Sequence, residues 1–269
     1  MVLVLPTLFH VATIAIAAPF TPTNAGGSTY VISITGPWLE PTCQEYNSQV
    51  LGLEEILNVF EDEATCDDGI STTHAFTAGQ IAITETGIVA VVDGGGYAYD
   101  GDGVDAFSRH DYLATIDFDS EVDRRVRIDW SLYASGLGSV FTTVKRLGNI
   151  DGPSDPSEPI LDLGVNAYID PIWDADVLVQ RLPAGRWRCT IMSTHQSHSG
   201  KKGFNVGVAQ LSHTDTVVPL GDVDGTGVVD TTDLLAVIGA WGACDDCIED
   251  LDGDGLVGVG DILQVIADW

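Results

Sequence analysis

Two stretches near the carboxy-terminal end carry the most chemistry. They are DVDGTGVVDTTD from residue 222 and DLDGDGLVGVGD from residue 250. In each, oxygen-bearing side chains recur at alternate positions and glycine holds the sixth, at Gly227 and Gly255. Alternating acids let a tight loop turn several oxygens inward, and a residue without a β-carbon permits the sharp bend between them. A hard divalent cation such as calcium is the ligand such a loop suits. In the first loop the expected ligands are Asp222, Asp224, Thr226, the Val228 carbonyl and Asp233, with Asp230 direct or through water. In the second they are Asp250, Asp252, Asp254, the Leu256 carbonyl and Asp261, while Gly258 leaves the ninth position to water.

The repeat extends past the loops. At an offset of 28 (250 − 222), the twenty-residue segments that begin at the two loops match at ten positions. Each loop runs into an apolar stretch in the same register: Leu234, Leu235, Val237, Ile238 and Trp241, then Ile262, Leu263, Val265, Ile266 and Trp269. We expect two short helices whose stripes pack together as a minimal core. Two bound calcium ions would offset carboxylates too dense to collapse unaided. Ordinary acidic surface turns give no reason for loop spacing, glycine and helix register to repeat together.

Over residues 220–269 the loop acids, the two glycines and the aspartates that close each loop, Asp233 and Asp261, resemble the type I dockerin domain. Dockerins carry Asp where an ordinary EF-hand has Glu at position twelve, and they pair each loop with one following helix. The resemblance implies a small all-α module that docks cohesin modules on scaffolds or cell surfaces, often beneath polysaccharide-degrading enzymes. The contacts it implies are Thr231 and Thr232 in the first repeat and Val259 and Gly260 in the second.

The rest of the chain must carry this module. From residue 28 to 213 the dominant period is two with turn punctuation, so we expect a mainly β protein, an antiparallel sandwich of jelly-roll or immunoglobulin-like type. The clearest strand is 126–132, with Val126, Ile128, Trp130 and Leu132 facing the core and Arg127, Asp129 and Ser131 facing solvent. Further strands are expected at 81–84, 88–92, 112–118, 140–146, 177–182, 186–192 and 204–211. Leu53, Ile56, Leu57 and Phe60 keep the spacing of one short helix. The expected organisation is a signal peptide over residues 1–25, cleaved after Ala17 or Ala25, a sandwich at 26–213, a linker at 214–220 and the calcium module at 221–269.

Forty acidic against eleven basic side chains leave a formal charge of −29, which repels nucleic acid and anionic membrane. No segment after the leader is long and apolar enough to span a bilayer. Five cysteines suit an oxidising compartment, with Cys43 paired to Cys66, Cys244 to Cys247, and Cys189 buried beside Trp187 and Ile191. His195 and His198 have metal-like spacing, but we place them in a polar turn. Residues 99–105 are read as a turn that is also the best cation candidate outside the repeat. No nucleophile elbow, zinc-protease motif or phosphate loop occurs, and the acids are too many to single out a catalytic pair. Of the tryptophans Trp38, Trp130, Trp173 and Trp187, the one we expect on the surface as a sugar-stacking ring is Trp173. The chain is expected to be a secreted, non-catalytic calcium-binding protein. The alternative is a polysaccharide-degrading or carbohydrate-binding protein with the same tail.

Overall fold

The computed structural model describes residues 20–36, 41–84, 86–101, 105–150, 159–167, 170–199, 204–244 and 247–269, with the backbone alone at 160 and 204–216. The residues of the expected leader up to 19, Trp38, and residues 102–104 of the candidate cation turn lie outside them.

Among the described residues, twelve long strands carry the fold. In chain order they are β1 (Thr21–Thr35), β2 (Cys43–Leu51), β3 (Phe60–Asp67), β4 (Thr72–Ile83), β5 (Gly87–Tyr99), β6 (Ala106–Ser120), β7 (Arg124–Ser135), β8 (Leu137–Gly148), β9 (Pro159–Asn166), β10 (Ile172–Leu182), β11 (Gly185–Ser199) and β12 (Phe204–Val218). They form two six-stranded sheets, ordered β2-β1-β6-β11-β8-β9 and β10-β7-β12-β5-β4-β3. Every pairing in them is antiparallel.

This order decides between the two expected sandwiches. From β5 the chain switches sheets at each step to β8, makes the β8–β9 hairpin, and switches at each step back to β12. On the return, β11 enters between β6 and β8, and β12 between β5 and β7. Eight strands wound in this way are a jelly roll. β1 and β2 extend one sheet beyond β6, and β3 and β4 extend the other beyond β5.

The core draws on both sheets, with Tyr112, Ile116, Phe118, Trp187, Cys189 and Ile191 from one and Ile88, Val126, Ile128 and Leu132 from the other. Cys189 therefore fills the core beside Trp187 and Ile191 as expected, and the Cys43–Cys66 and Cys244–Cys247 disulfides are present. Phe20 is also buried, its ring 4.9 Å from that of Phe118, and β1 pairs with β6 from Thr21 onward. A cut after Ala25 would remove Phe20 and the pairing up to that residue, whereas one after Ala17 leaves both.

Four expectations change. The helix α1 covers only Leu53–Leu57, and Phe60 opens β3 instead. β12 continues to Val218, through most of the segment expected as a linker. Arg127, Asp129 and Ser131 do face away from the core, but this face is not all solvent, for their neighbour Arg125 is only 3% exposed. His195 and His198 lie in β11 rather than in a turn. Three residues apart on a strand, they point to opposite faces and cannot share a ligand. His195 is buried, and exposed His198 lies 3.3 Å from Asp105.

One end of the jelly roll is polar inside. His110 and His195 stand opposite each other on β6 and β11, stacked at 5.5 Å, and bond Ser193 at 2.9 Å and Ser197 at 2.7 Å. Room for them comes from glycine, since a β-carbon at Gly94 would lie 2.4 Å from His110 Nε2. Burial, then the charges of His195 and Arg109, hold His110 well below the ordinary histidine range. Burial pushes His195 down to about 4. Both rings therefore fold neutral. As pH falls below about 6.5 the unfolded chain takes up the protons first, so the jelly roll loses stability down to about pH 4. Replacing His195 with Gln should flatten the fall of unfolding free energy over this window by about 1.4 kcal/mol per pH unit. Denaturant titrations at a series of pH values check this, and parallel profiles for the two proteins would contradict it.

Candidate metal centre

The tail folds around a core of its own, made of Val223, Val229, Val237, Leu251, Val257 and Val265. Two helices, α2 (Thr231–Gly239) and α3 (Val259–Asp268), follow the two acidic loops. A short ladder pairs β13 (Gly242–Ala243) with β14 (Leu256–Val257), and Gly221 N–H donates to Asp268 Oδ2 at 2.8 Å, tying the start of the tail to its last helix. The helices bury less than the sequence suggests. Asp233 and Val237 of α2, and Asp261 and Val265 of α3, turn inward with the spacing of one face. Leu235, Ile238, Leu263 and Ile266, with Trp241 and Trp269 beyond the helix ends, stay exposed, because each apolar run is wider than the contact between two such short helices.

Each loop is organised by amides donating to carboxylates. In the first, Asp222 accepts from Gly227 N–H at 2.8 Å and Thr226 N–H at 3.1 Å, and Asp224 also accepts from Thr226 N–H at 3.1 Å. Asp233 closes the loop, accepting from Val223 at 2.6 Å, Asp224 at 3.1 Å and Asp230 at 2.8 Å. In the second loop Asp250 accepts from Gly255 at 2.9 Å and Asp254 at 3.2 Å, and Asp252 also accepts from Asp254 at 3.2 Å. Asp261 accepts from Leu251 at 2.6 Å, Asp252 at 3.3 Å and Gly258 at 2.7 Å. Shifted by 28 residues, these six bonds coincide, and the second loop adds Gly253 N–H to Asp250 and Leu256 N–H to Asp254, both at 2.8 Å. The sixth-position glycines have φ of +90° at Gly227 and +85° at Gly255, the left-handed region that other residues rarely enter.

Carboxylate oxygens of Asp222, Asp224 and Asp233 all lie within 4.8 Å of one another, as do those of Asp250, Asp252 and Asp254. Asp222 and Asp233 are fully buried and Asp261 nearly so. Burial raises Asp222 above the usual carboxylate range, with Asp233 and Asp224 adding to it against the amides of Gly227 and Thr226. Desolvation and the charges of Asp254, Asp261 and Asp250 raise Asp252 likewise. Burial acts in the same sense on Asp261, but the amides of Gly258, Leu251 and Asp252 outweigh it and hold that carboxylate low. The two groups can hold metal ions, and the donors are oxygens only, since Cys244 and Cys247 are joined to each other. That set suits a hard cation.

The other expected ligands sit less centrally. Asp230 caps α2, accepting from Thr232 N–H at 2.7 Å, and is not in the carboxylate group. Thr226 donates its hydroxyl to the Val228 carbonyl at 3.3 Å. Leu256 enters the β13–β14 ladder, and Asp261 joins the second loop through amides. Thr231, Thr232, Val259 and Gly260 are exposed at the starts of α2 and α3.

Sequence patterning misses the arginines that meet the loops from the jelly roll. Arg125 donates to the Asp222 carbonyl at 2.9 Å and to the Ile248 carbonyl, and Arg127 donates to the Gly225 carbonyl at 2.8 Å. Burial lowers Arg125 from the usual arginine range, opposed by the carboxylates of Asp222, Glu249 and Asp233. The available signal was an arginine on each side of Val126, of which Arg127 was expected on the solvent face of the strand.

Among the described residues no helix is long and apolar enough to cross a membrane. No family model and no curated protein matches the chain. Among solved structures, the enzymatically active domain of bacteriophage CBA120 tailspike protein 4 aligns at 14% identity and TM-score 0.23, over 61% of this chain and 20% of that one. TmCBM61 in complex with β-1,4-galactotriose aligns at 8% identity and TM-score 0.22, over 57% of this chain and 87% of that one. The isomalto-dextranase of Arthrobacter globiformis T6, complexed with panose, aligns at 11% identity and TM-score 0.21, over 73% of this chain and 32% of that one. The chain thus spans about a fifth of the tailspike domain and a third of the dextranase.

Proposed function

We propose that the tail is a calcium-binding module of dockerin type that anchors the jelly roll to a protein partner outside the cell. The observation that carries this reading is the coincidence of the two loops. Six amide-to-carboxylate bonds recur at equivalent positions around glycines of nearly equal φ, and each loop gathers three carboxylates, Asp222, Asp224 and Asp233 in the first and Asp250, Asp252 and Asp254 in the second. Asp222, Asp224, Thr226, the Val228 carbonyl and Asp233 would hold one ion, with Asp230 reaching it through water. Asp250, Asp252, Asp254, the Leu256 carbonyl and Asp261 would hold the other. Bound calcium supplies the positive charge that these loops otherwise lack and ties each loop to its helix. Two disulfides favour an oxidising, extracellular setting.

Calorimetric titration should find two calcium sites in the chain, and one after either Asp233→Ala or Asp261→Ala. A stoichiometry unchanged by both substitutions would remove the ligand assignment.

For anchoring, the starts of α2 and α3 and the exposed apolar residues of the same helices offer the contact surface. Thr231 and Thr232 bring hydroxyls that can bond a partner's backbone, whereas Val259 and Gly260 bring apolar contact alone. A single binding edge, the first, is therefore expected. In a panel of cohesin modules, replacing Thr231 and Thr232 by Ala should abolish binding to any member the parent protein captures, with both ions retained. Failure of the parent to bind any cohesin, or equal loss on changing Val259 and Gly260, would overturn this edge.

A second reading rests on Trp173, which is 66% exposed on β10. Tyr133 faces it across the β10–β7 pair, with ring centroids 5.9 Å apart. Two accessible rings on one sheet face suit stacking on a sugar. If the jelly roll binds polysaccharide there, Trp173→Ala should weaken retention on a glycan array about tenfold, which corresponds to about 1.4 kcal/mol. Equal retention by both proteins would exclude the site.

A further inference from the structure

We infer that the outer face of β7 and β10 is a cradle for the chain's own two acidic loops, with Arg125 at its centre, so that ion binding in the tail is transmitted to the jelly roll. The coupling to ions rests on the calcium reading above, whereas the cradle itself does not.

Charge and shape support it separately. Residues 220–269 hold twelve acidic side chains and no lysine or arginine. Three of the chain's eleven basic residues, Arg125, Arg127 and Arg181, stand together on the face that meets them, on adjacent strands where Arg125 pairs with Arg181 and Arg127 with Val179. Arg125 lies on the face turned away from the jelly-roll core, yet it is 3% exposed, because the tail covers it. Its two terminal nitrogens reach the first residue of one loop and the approach to the other, at the Asp222 and Ile248 carbonyls. Its charge also faces the carboxylates of Asp222, Asp233 and Glu249.

The fit repeats at the glycines in the fourth position of each loop. A β-carbon on Gly225 would lie 2.0 Å from Val179 Cγ2, and one on Gly253 would lie 2.5 Å from Arg181 Nη1. Val179 and Arg181 are two residues apart on β10 and so share a face. Arg181 is held in place by Asp123, 2.8 Å away. Equivalent points of the two loops thus rest on successive outward residues of one strand. The loops that would close around ions are the same loops that touch the jelly roll, so ordering them orders the contact.

Scanning calorimetry with and without EGTA tests the cradle on the full chain. The parent protein should unfold in one transition, which moves to lower temperature on chelation. Arg125→Met should split it in two, with only the lower transition sensitive to EGTA and calcium stoichiometry still two. Val179→Asp, which sets a carboxylate against the first loop without touching the core, should split it in the same way and carries the test if Arg125→Met does not fold. Two transitions in the parent, with the upper indifferent to EGTA, would overturn the coupling. A single transition retained in both variants would overturn the cradle. If the parent binds no calcium at all, the calcium reading and the transmitted effect fail together, while splitting by the variants still decides the cradle.

Discussion

A dozen carboxylates without one basic side chain, packed into the last fifty residues, set the constraint that the tail must satisfy. Neither helix propensity nor a six-residue apolar core can offset that repulsion on its own. The chain answers first with its own backbone. Amides on the inside of each loop donate to the acids at its first, third and twelfth positions, and glycine at positive φ allows the backbone to turn those amides inward. The answer is incomplete, for desolvation and the other carboxylates of the same loop still raise Asp222 and Asp252 from the ordinary carboxylate value. Whatever else approaches the loops must bring positive charge, whether a cation inside the loop or a guanidinium beneath it.

The jelly roll meets the opposite problem, since it buries polar groups rather than charges. Toward one end β6 and β11 exchange their apolar inward residues for Ser108, His110, Ser193, His195 and Ser197. Each histidine there bonds a serine hydroxyl, and Gly94 on the opposing β5 leaves room for the His110 ring. Neutral imidazole is the form such a seam tolerates, because a buried charge without a partner costs several kcal/mol. Stability of the sandwich is therefore tied to pH through groups unrelated to the loops.

The two halves differed in how much their sequences disclosed. Loop acids, glycines and helix register in the tail repeat at a fixed offset, so the two loops and their helices were legible, whereas the exposure of most of each apolar stripe was not. Alternation of Val126, Ile128 and Leu132 likewise gave β7 and its buried face. Where alternation carries hydroxyls and histidines instead, as at residues 193–199, the same inward positions look like a polar turn. β2 escaped notice because nearly all of it is exposed, leaving no apolar period to read. Strand order followed only from the pairing, which depends on contacts between residues far apart in the chain. Arg125 was illegible for a related reason: its strand pattern places it outward, and only the docked tail makes outward mean buried.

Contacts made by the tail are divided between its loops and its helices. The jelly roll touches the fourth-position glycines and backbone carbonyls of the loops, so it reads loop shape. Leu235, Ile238, Trp241, Leu263, Ile266 and Trp269 are left uncovered as a consequence. Six large apolar side chains on so small a module exceed what a monomer commonly leaves in water. Had the sandwich used that surface for docking, it would have gained apolar burial and left the loop carboxylates without its arginines. By taking the charged loops instead, through arginines of β7 and β10, the chain leaves the apolar helix face uncovered. Fixed to its own protein through its loops, the module leaves that apolar helix face open to the kind of partner contact proposed for it.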